Sequence, residues 1–166
     1  VAKRALGFGM KIIYTGRTRK PEYEEKLCAE YLPLDELLRR SDFVSLNCAL
    51  TKETTGLIGE RELRMMKKDA VLINTARGAV VDQRALYSAC SEGWIWGAGL
   101  DVYEKEPVPM DEPLRGLENV VMMPHIGSAA VSSREGMARL AAQNLVEAIE
   151  GRIPPNLVNP DVLKRI

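Results

Sequence analysis

The chain has 166 residues, 46% hydrophobic and 28% charged, with 23 Lys and Arg balancing 23 Asp and Glu. That size fits a single layered core, and the neutral balance excludes a general attraction to nucleic acid or an acidic membrane surface, so any anion must be recognised by a few placed cations. Three scattered cysteines, one histidine and no apolar run of about 20 residues exclude a disulfide framework, a metal cluster and a membrane span, and point to a reducing, cytoplasmic setting.

The opening Val1-Ala2-Lys3-Arg4-Ala5-Leu6-Gly7 reads as the last turns of a helix whose beginning lies upstream, and not as a leader or a translation start. Short β-branched runs then predict buried strands at 11–14, 43–46, 70–73, 95–102 and 119–123. Between them the spacing predicts helices over 34–40, 60–67 and 82–92, the last with Asp82 placed to cap its start and Gly93 to end it. The longest helix is expected over 132–150, opened by a Ser132/Glu135 capping box and closed by Gly151, with a Pro-rich extended tail after it. Continuous apolar strands alternating with helices predict an α/β fold with a parallel sheet covered on both faces. Ligands in such folds sit beyond the carboxyl ends of the strands, so the residues following each strand carry the functional reading.

Thr15-Gly16-Arg17-Thr18-Arg19-Lys20 follows the first strand. A dinucleotide site that prefers NAD places an acid here for the ribose 2′-hydroxyl, and none is present; the nearest in sequence is Glu22. Gly16 permits close backbone approach, Arg17, Arg19 and Lys20 provide positive charge, the arginine fork suits a 2′-phosphate, and Thr18 belongs to the same expected cofactor-binding turn. This favours NADP(H), with NAD(H) as the weaker alternative. Cys48 and Ala49, after the next strand, are placed to lie along a ribose, though Cys48 reads equally well as a small buried residue.

Asn74-Thr75-Ala76-Arg77-Gly78 puts an arginine between small residues at a strand end. Its fixed fork of donors suits a carboxylate, with pairing to Asp82 as the structural alternative. Asp101, Glu104 and Glu106 leave the next strand end close together, and Pro124-His125-Ile126-Gly127-Ser128 follows the last. Together these supply what reduction of a 2-keto acid needs. Arg77 holds the carboxylate and polarises the carbonyl, His125 supplies a proton near neutrality, and Glu106 beside it favours the imidazolium. Asp101 is placed to accept from the nicotinamide carboxamide. Thr75, Ala76, Arg77, His125, Gly127 and Ser128 complete the expected cofactor-facing set, with no metal required.

Three stretches, Asn74-Thr75-Ala76-Arg77-Gly78 with Val80-Val81-Asp82, Gly97 to Glu104 with Glu106-Pro107, and Pro124 to Ser128, resemble in order and spacing the signatures of D-isomer-specific 2-hydroxyacid dehydrogenases. The resemblance covers nearly the whole chain. It implies catalytic roles for the positions of Arg77, Glu106 and His125 and a nicotinamide contact for Asp101. Tyr14-Thr15-Gly16-Arg17 is most similar to the glyoxylate/hydroxypyruvate reductase branch, which implies NADPH, a small 2-keto acid substrate and a homodimer. Within that family the Gly-x-Gly-x-x-Gly pyrophosphate turn precedes the first strand seen here, and Gly7-Phe8-Gly9 is not it. The expected architecture is therefore a Rossmann-type doubly wound sheet lacking its first strand and Gly-rich turn: a truncated NAD(P)-binding domain over 1–131, then a crossover helix and substrate-domain tail over 132–166. Other 2-hydroxy acids such as 3-phosphoglycerate, a non-catalytic dinucleotide-sensing scaffold, and an isolated fragment without activity stand as alternatives. Glu106 disfavours the formate dehydrogenase branch, which has Gln there.

Overall fold

The structure, a computed structural model, describes residues 1–165, so the last residue of the expected tail lies outside the described residues. It forms two compact units, residues 1–125 and 126–166.

In the first unit, α1 (Ala2–Leu6) leads into β1 (Ile13–Tyr14), α2 (Pro21–Leu27) and β2 (Glu30–Tyr31), and β1 and β2 pair in parallel. Neither α2 nor β2 was expected. α2 carries Glu-Tyr-Glu-Glu-Lys and buries no residue, so it shows no apolar periodicity, and its start is marked only by Pro21 and the acids Glu22 and Glu24 in its first turn. Then come α3 (Leu34–Arg40), β3 (Phe43–Leu46), α4 (Glu60–Met65), β4 (Val71–Asn74), α5 (Gln83–Ser91), β5 (Gly97–Leu100) and β6 (Val120–Met122). Strands β3 to β6 form a parallel sheet in chain order. Among the described residues β1 and β3 are not hydrogen-bonded to each other, so the strands fall into two sheets. The architecture is the parallel-sheet, Rossmann-like α/β class that the strand and helix alternation predicts.

Amphipathic helices bury one stripe each against this sheet. Leu37 and Leu38 of α3, Leu63 of α4, and Leu86, Ala89 and Cys90 of α5 meet Val44, Leu72 and Leu100 from the strands, with Ile58, Val80, Ile95 and Leu114 filling the remainder. α5 starts as predicted: the Asp82 carboxylate accepts from the N–H groups of Arg84 and Ala85 at 3.0 Å, and Gly93 turns the chain away at φ +70°.

The register sets the site. Leu46, Asn74, Leu100 and Met122 are successive partners across β3, β4, β5 and β6, so the four strands end in one row and their following loops leave from the same level.

The second unit holds α6 (Val131–Ile149). The expected capping box does not form: the helix begins before Ser132, its N-cap position is Ala130, and no side chain caps it. The tail is not extended throughout, because Pro160–Arg165 makes a 3₁₀ turn. Two hydrogen bonds between Asn144 and Asn156 fasten the segment after α6 back onto the helix. Among the described residues no helix is long and apolar enough to cross a membrane.

Candidate active site

The loop after β4 is shaped by Asn74, the last residue of that strand, which is 1% exposed. Its Oδ1 accepts from the Ala76 N–H and its Nδ2 donates to the Arg77 carbonyl, both at 3.0 Å. Arg77 is exposed, and its Nη1 donates to the Ala76 carbonyl at 2.6 Å. The alternative partner, Asp82, caps α5 instead. Immediately after Arg77 the backbone of Gly78 lies on the loop that follows β5: a Cβ at 78 would come 1.9 Å from the Tyr103 carbonyl carbon. Only glycine allows these two loops to touch.

The second loop carries Asp101, Glu104 and Glu106. Asp101 is 7% exposed at the end of β5, and its N–H donates to the Asn74 carbonyl at 3.0 Å, tying the two strand ends together. Glu104 is paired with the start of α5: its Oε1 accepts from the Gln83 N–H, and the Gln83 side chain in turn accepts from the Glu104 N–H. Glu106 turns inward. Its Oε1 accepts from the Tyr103 N–H at 3.0 Å and its Oε2 meets His125 Nδ1 at 2.6 Å. The hydrogen bond from His125 holds the Glu106 carboxyl below its usual 4.5. The Tyr103 N–H and the charges of His125 and Arg77 act in the same direction, against partial burial.

The backbone two residues before His125 is tied to β5 and to the loop that follows it. The Met123 N–H donates to the Leu100 carbonyl at 2.8 Å, and the hydroxyl of Tyr103, 5% exposed, donates to the Met123 carbonyl at 2.8 Å. His125 itself sits at φ +53°, a left-handed conformation that side-chain-bearing residues rarely adopt. Since a carboxylate only accepts, Nδ1 carries the proton in the contact with Glu106, which leaves Nε2 directed elsewhere.

Around the turn after β1, Gly16 is exposed with open space where a Cβ would be, and its carbonyl accepts from the Tyr31 hydroxyl at 3.1 Å. Arg17 and Thr18 are exposed. Arg19 is not disposed like Arg17: Glu24 grips it through Nε and Nη2 at 2.7–3.0 Å. The same carboxylate accepts from the Tyr14 hydroxyl at 2.6 Å, and that oxygen accepts from the Lys20 N–H at 2.7 Å. The acid that the strand end lacks in sequence is therefore present in space, supplied by α2 and committed to Arg19. Cys48 is half-buried, Ala49 is exposed with its carbonyl accepting from Thr54, Thr75 is exposed and Ala76 buried. Gly127 and Ser128 lie in the second unit, both exposed.

The structure thus gathers Arg77, Asp101, Glu106 and His125 on loops leaving one sheet edge. Two further residues build this arrangement without being singled out in the sequence. Asn74 is signalled only by the habit of Asn to bond backbone two residues ahead, and Tyr103 by nothing in its spacing.

Comparison with known proteins adds three findings. Residues 1–127 match the family described as D-isomer specific 2-hydroxyacid dehydrogenase, NAD binding domain. The glyoxylate reductase of Thermococcus litoralis is 62% identical over 163 residues, 98% of this chain and 49% of that protein. Among solved structures, a protein of Thermus thermophilus superposes with a TM-score of 0.87 at 50% identity, covering 95% of this chain and 49% of the other. The NADPH-dependent glyoxylate/hydroxypyruvate reductase of Sinorhizobium meliloti, solved with NADP and malonate, does so with a TM-score of 0.80 at 37% identity, covering 88% and 44%. The chain spans about half the length of the relatives it matches.

Proposed function

Because the chain belongs to the D-isomer specific 2-hydroxyacid dehydrogenases, we propose that the protein it forms reduces a small 2-keto acid, glyoxylate or hydroxypyruvate, to the D-2-hydroxy acid with NADPH. The single observation carrying the catalytic reading is the 2.6 Å contact of Glu106 with His125, on loops level with the one that presents Arg77. A bound nicotinamide dinucleotide supplies the hydride. The residues fit such a group: the exposed Gly16-Arg17-Thr18 turn offers backbone access and an exposed guanidinium, and Glu24, the acid in reach, is already held by Arg19 and Tyr14.

Arg77 pairs with the substrate carboxylate and leans its remaining donors toward the carbonyl oxygen, which turns negative as the carbonyl carbon is reduced. Glu106 fixes the Nδ1–H tautomer of His125 and stabilises the charged ring, so Nε2 delivers the proton to the developing alkoxide. One hydride and one proton add across the C=O bond and nothing leaves. Asp101 sits beside this group at the end of β5, where it orients the carboxamide of the nicotinamide. Residues 132–166 are read as the crossover helix and tail of a substrate domain, and the 166-residue chain alone is expected to be inactive.

The test is the complete protein with NADPH and each keto acid. His125→Ala is expected to lower turnover by about 10²–10⁴-fold. Absence of turnover with both keto acids between pH 5 and 8, in otherwise folded protein, overturns the substrate assignment.

A further inference from the structure

We propose that Asn74 is a positioning residue for the reaction: its side-chain amide holds the backbone on both sides of Arg77 and so aims the guanidinium at the substrate carboxylate. This rests on the role given to Arg77 above.

Three observations carry it. First, the amide spans the loop. Oδ1 takes the N–H of Ala76 and Nδ2 the carbonyl of Arg77, each at 3.0 Å, so the peptide groups flanking the Arg77 amide are fixed to one rigid plane. Because one partner is a donor and the other an acceptor, the amide fits only this way round, and neither an apolar residue nor a carboxylate replaces it. Second, the clamp is anchored. Asn74 is 1% exposed, in register with Leu46 on one side and Leu100 on the other, and its own carbonyl accepts from the Asp101 N–H. A side chain on an exposed strand end follows solvent; this one follows the sheet. Third, the loop has no slack after Arg77. Gly78 is pressed on Tyr103, and the Val80 N–H returns to the Arg77 carbonyl at 3.2 Å. Arg77 is therefore presented from a three-residue bridge fastened at both ends, and its exposed side chain inherits its direction from that bridge.

Removing the donor while keeping the shape isolates this function. Asn74→Asp would set a carboxylate oxygen against the Arg77 carbonyl at the position of Nδ2, pushing the bridge away. Asn74→Ser keeps a short acceptor for the Ala76 N–H but loses the donor to Arg77. Both are to be made in the complete protein, alone and together with Arg77→Ala. The measurements are kcat and KM for the keto acid, NADPH affinity by fluorescence titration, and thermal unfolding.

The expected result is a loss in kcat/KM for the keto acid of about tenfold for Ser and up to about a hundredfold for Asp. NADPH affinity should stay within threefold. In the Arg77→Ala background the same changes should cost almost nothing more, because there is no guanidinium left to aim. Equal losses in both backgrounds, losses shared by NADPH binding, or failure of both variants to fold overturn the inference and make Asn74 a purely structural residue. An Arg77→Ala variant with undiminished kcat/KM overturns the role of Arg77 itself. A normal Asn74→Asp beside a crippled Arg77→Ala overturns only the clamp.

Discussion

The α-carbon of Gly78 rests against the peptide group that joins Tyr103 to Glu104, closer than any side-chain-bearing residue permits, with a Cβ falling 1.9 Å from the Tyr103 carbonyl carbon and 2.4 Å from the Glu104 nitrogen. This single approach sets how near the arginine loop after β4 comes to the acid loop after β5. A Gly78→Ala substitution is expected to force the loops apart, costing about 1–3 kcal/mol, which lowers the unfolding midpoint of the complete protein by a few degrees. Activity should fall further than stability alone explains, since Arg77 and Glu106 ride on the two loops. Unchanged melting and unchanged kcat/KM in the alanine variant would contradict the close approach.

Acid should act on the site through Glu106. Its folded pKa lies below the usual 4.5, with the His125 hydrogen bond as the main cause. A depressed carboxyl contributes stability that is fully present above the unfolded value and lost as pH falls through the folded one. The Glu106–His125 contact should thus survive mild acid and fail only below the ordinary carboxylate range. Comparing the wild type with Glu106→Gln, the gap in melting temperature should be present at neutral pH and close as pH drops below about 4.5. A gap that widens toward acid has the wrong sign and would falsify the assignment. The variant should also lose turnover at neutral pH, because its amide does not stabilise a charged ring.

The two arginines of the first turn should behave differently. Arg17 is exposed, whereas Arg19 is clasped by Glu24 in two hydrogen bonds through Nε and one through Nη2. Arg17→Ala is expected to weaken NADPH by about 10–100-fold, the worth of a charge-assisted hydrogen bond, with NADH little changed. Arg19→Ala should loosen the turn and affect the two cofactors more evenly. Steady-state KM values for both cofactors decide it; a parallel loss of NADPH and NADH in the Arg17 variant removes the 2′-phosphate from the reading.

The central sheet and the convergence of Arg77, Asp101, Glu106 and His125 on loops at one sheet edge were legible because both depend on local pattern. Buried β-branched runs at 43–46, 70–73 and 119–123 leave little alternative to parallel strands, and residues after such strands must converge on one edge whatever the details. α2 and β2 were not legible, since a seven-residue helix with no buried side chain and a two-residue strand have no periodicity to read. Glu24 lies on that unread helix, so its pairing with Arg19 cannot be read from the sequence spacing. The capping box at Ser132 failed because the helix starts with Ala130 at its N-cap, two residues too early for Ser132 to serve. Nor does a sequence reveal which backbone groups a buried amide or phenol will reach, and that is how Asn74 and Tyr103 escaped notice.

His125 pays for its place. An L-residue held at φ +53° gives up about 1–2 kcal/mol relative to right-handed or extended backbone. Glycine would relieve the strain, yet glycine has no ring to offer Glu106. A chain shaped only by the demands of folding would put the smaller residue there. The imidazole sits against the thermodynamic grain of its own backbone, so thermal robustness and the proton transfer proposed for this ring pull in opposite directions at this one position.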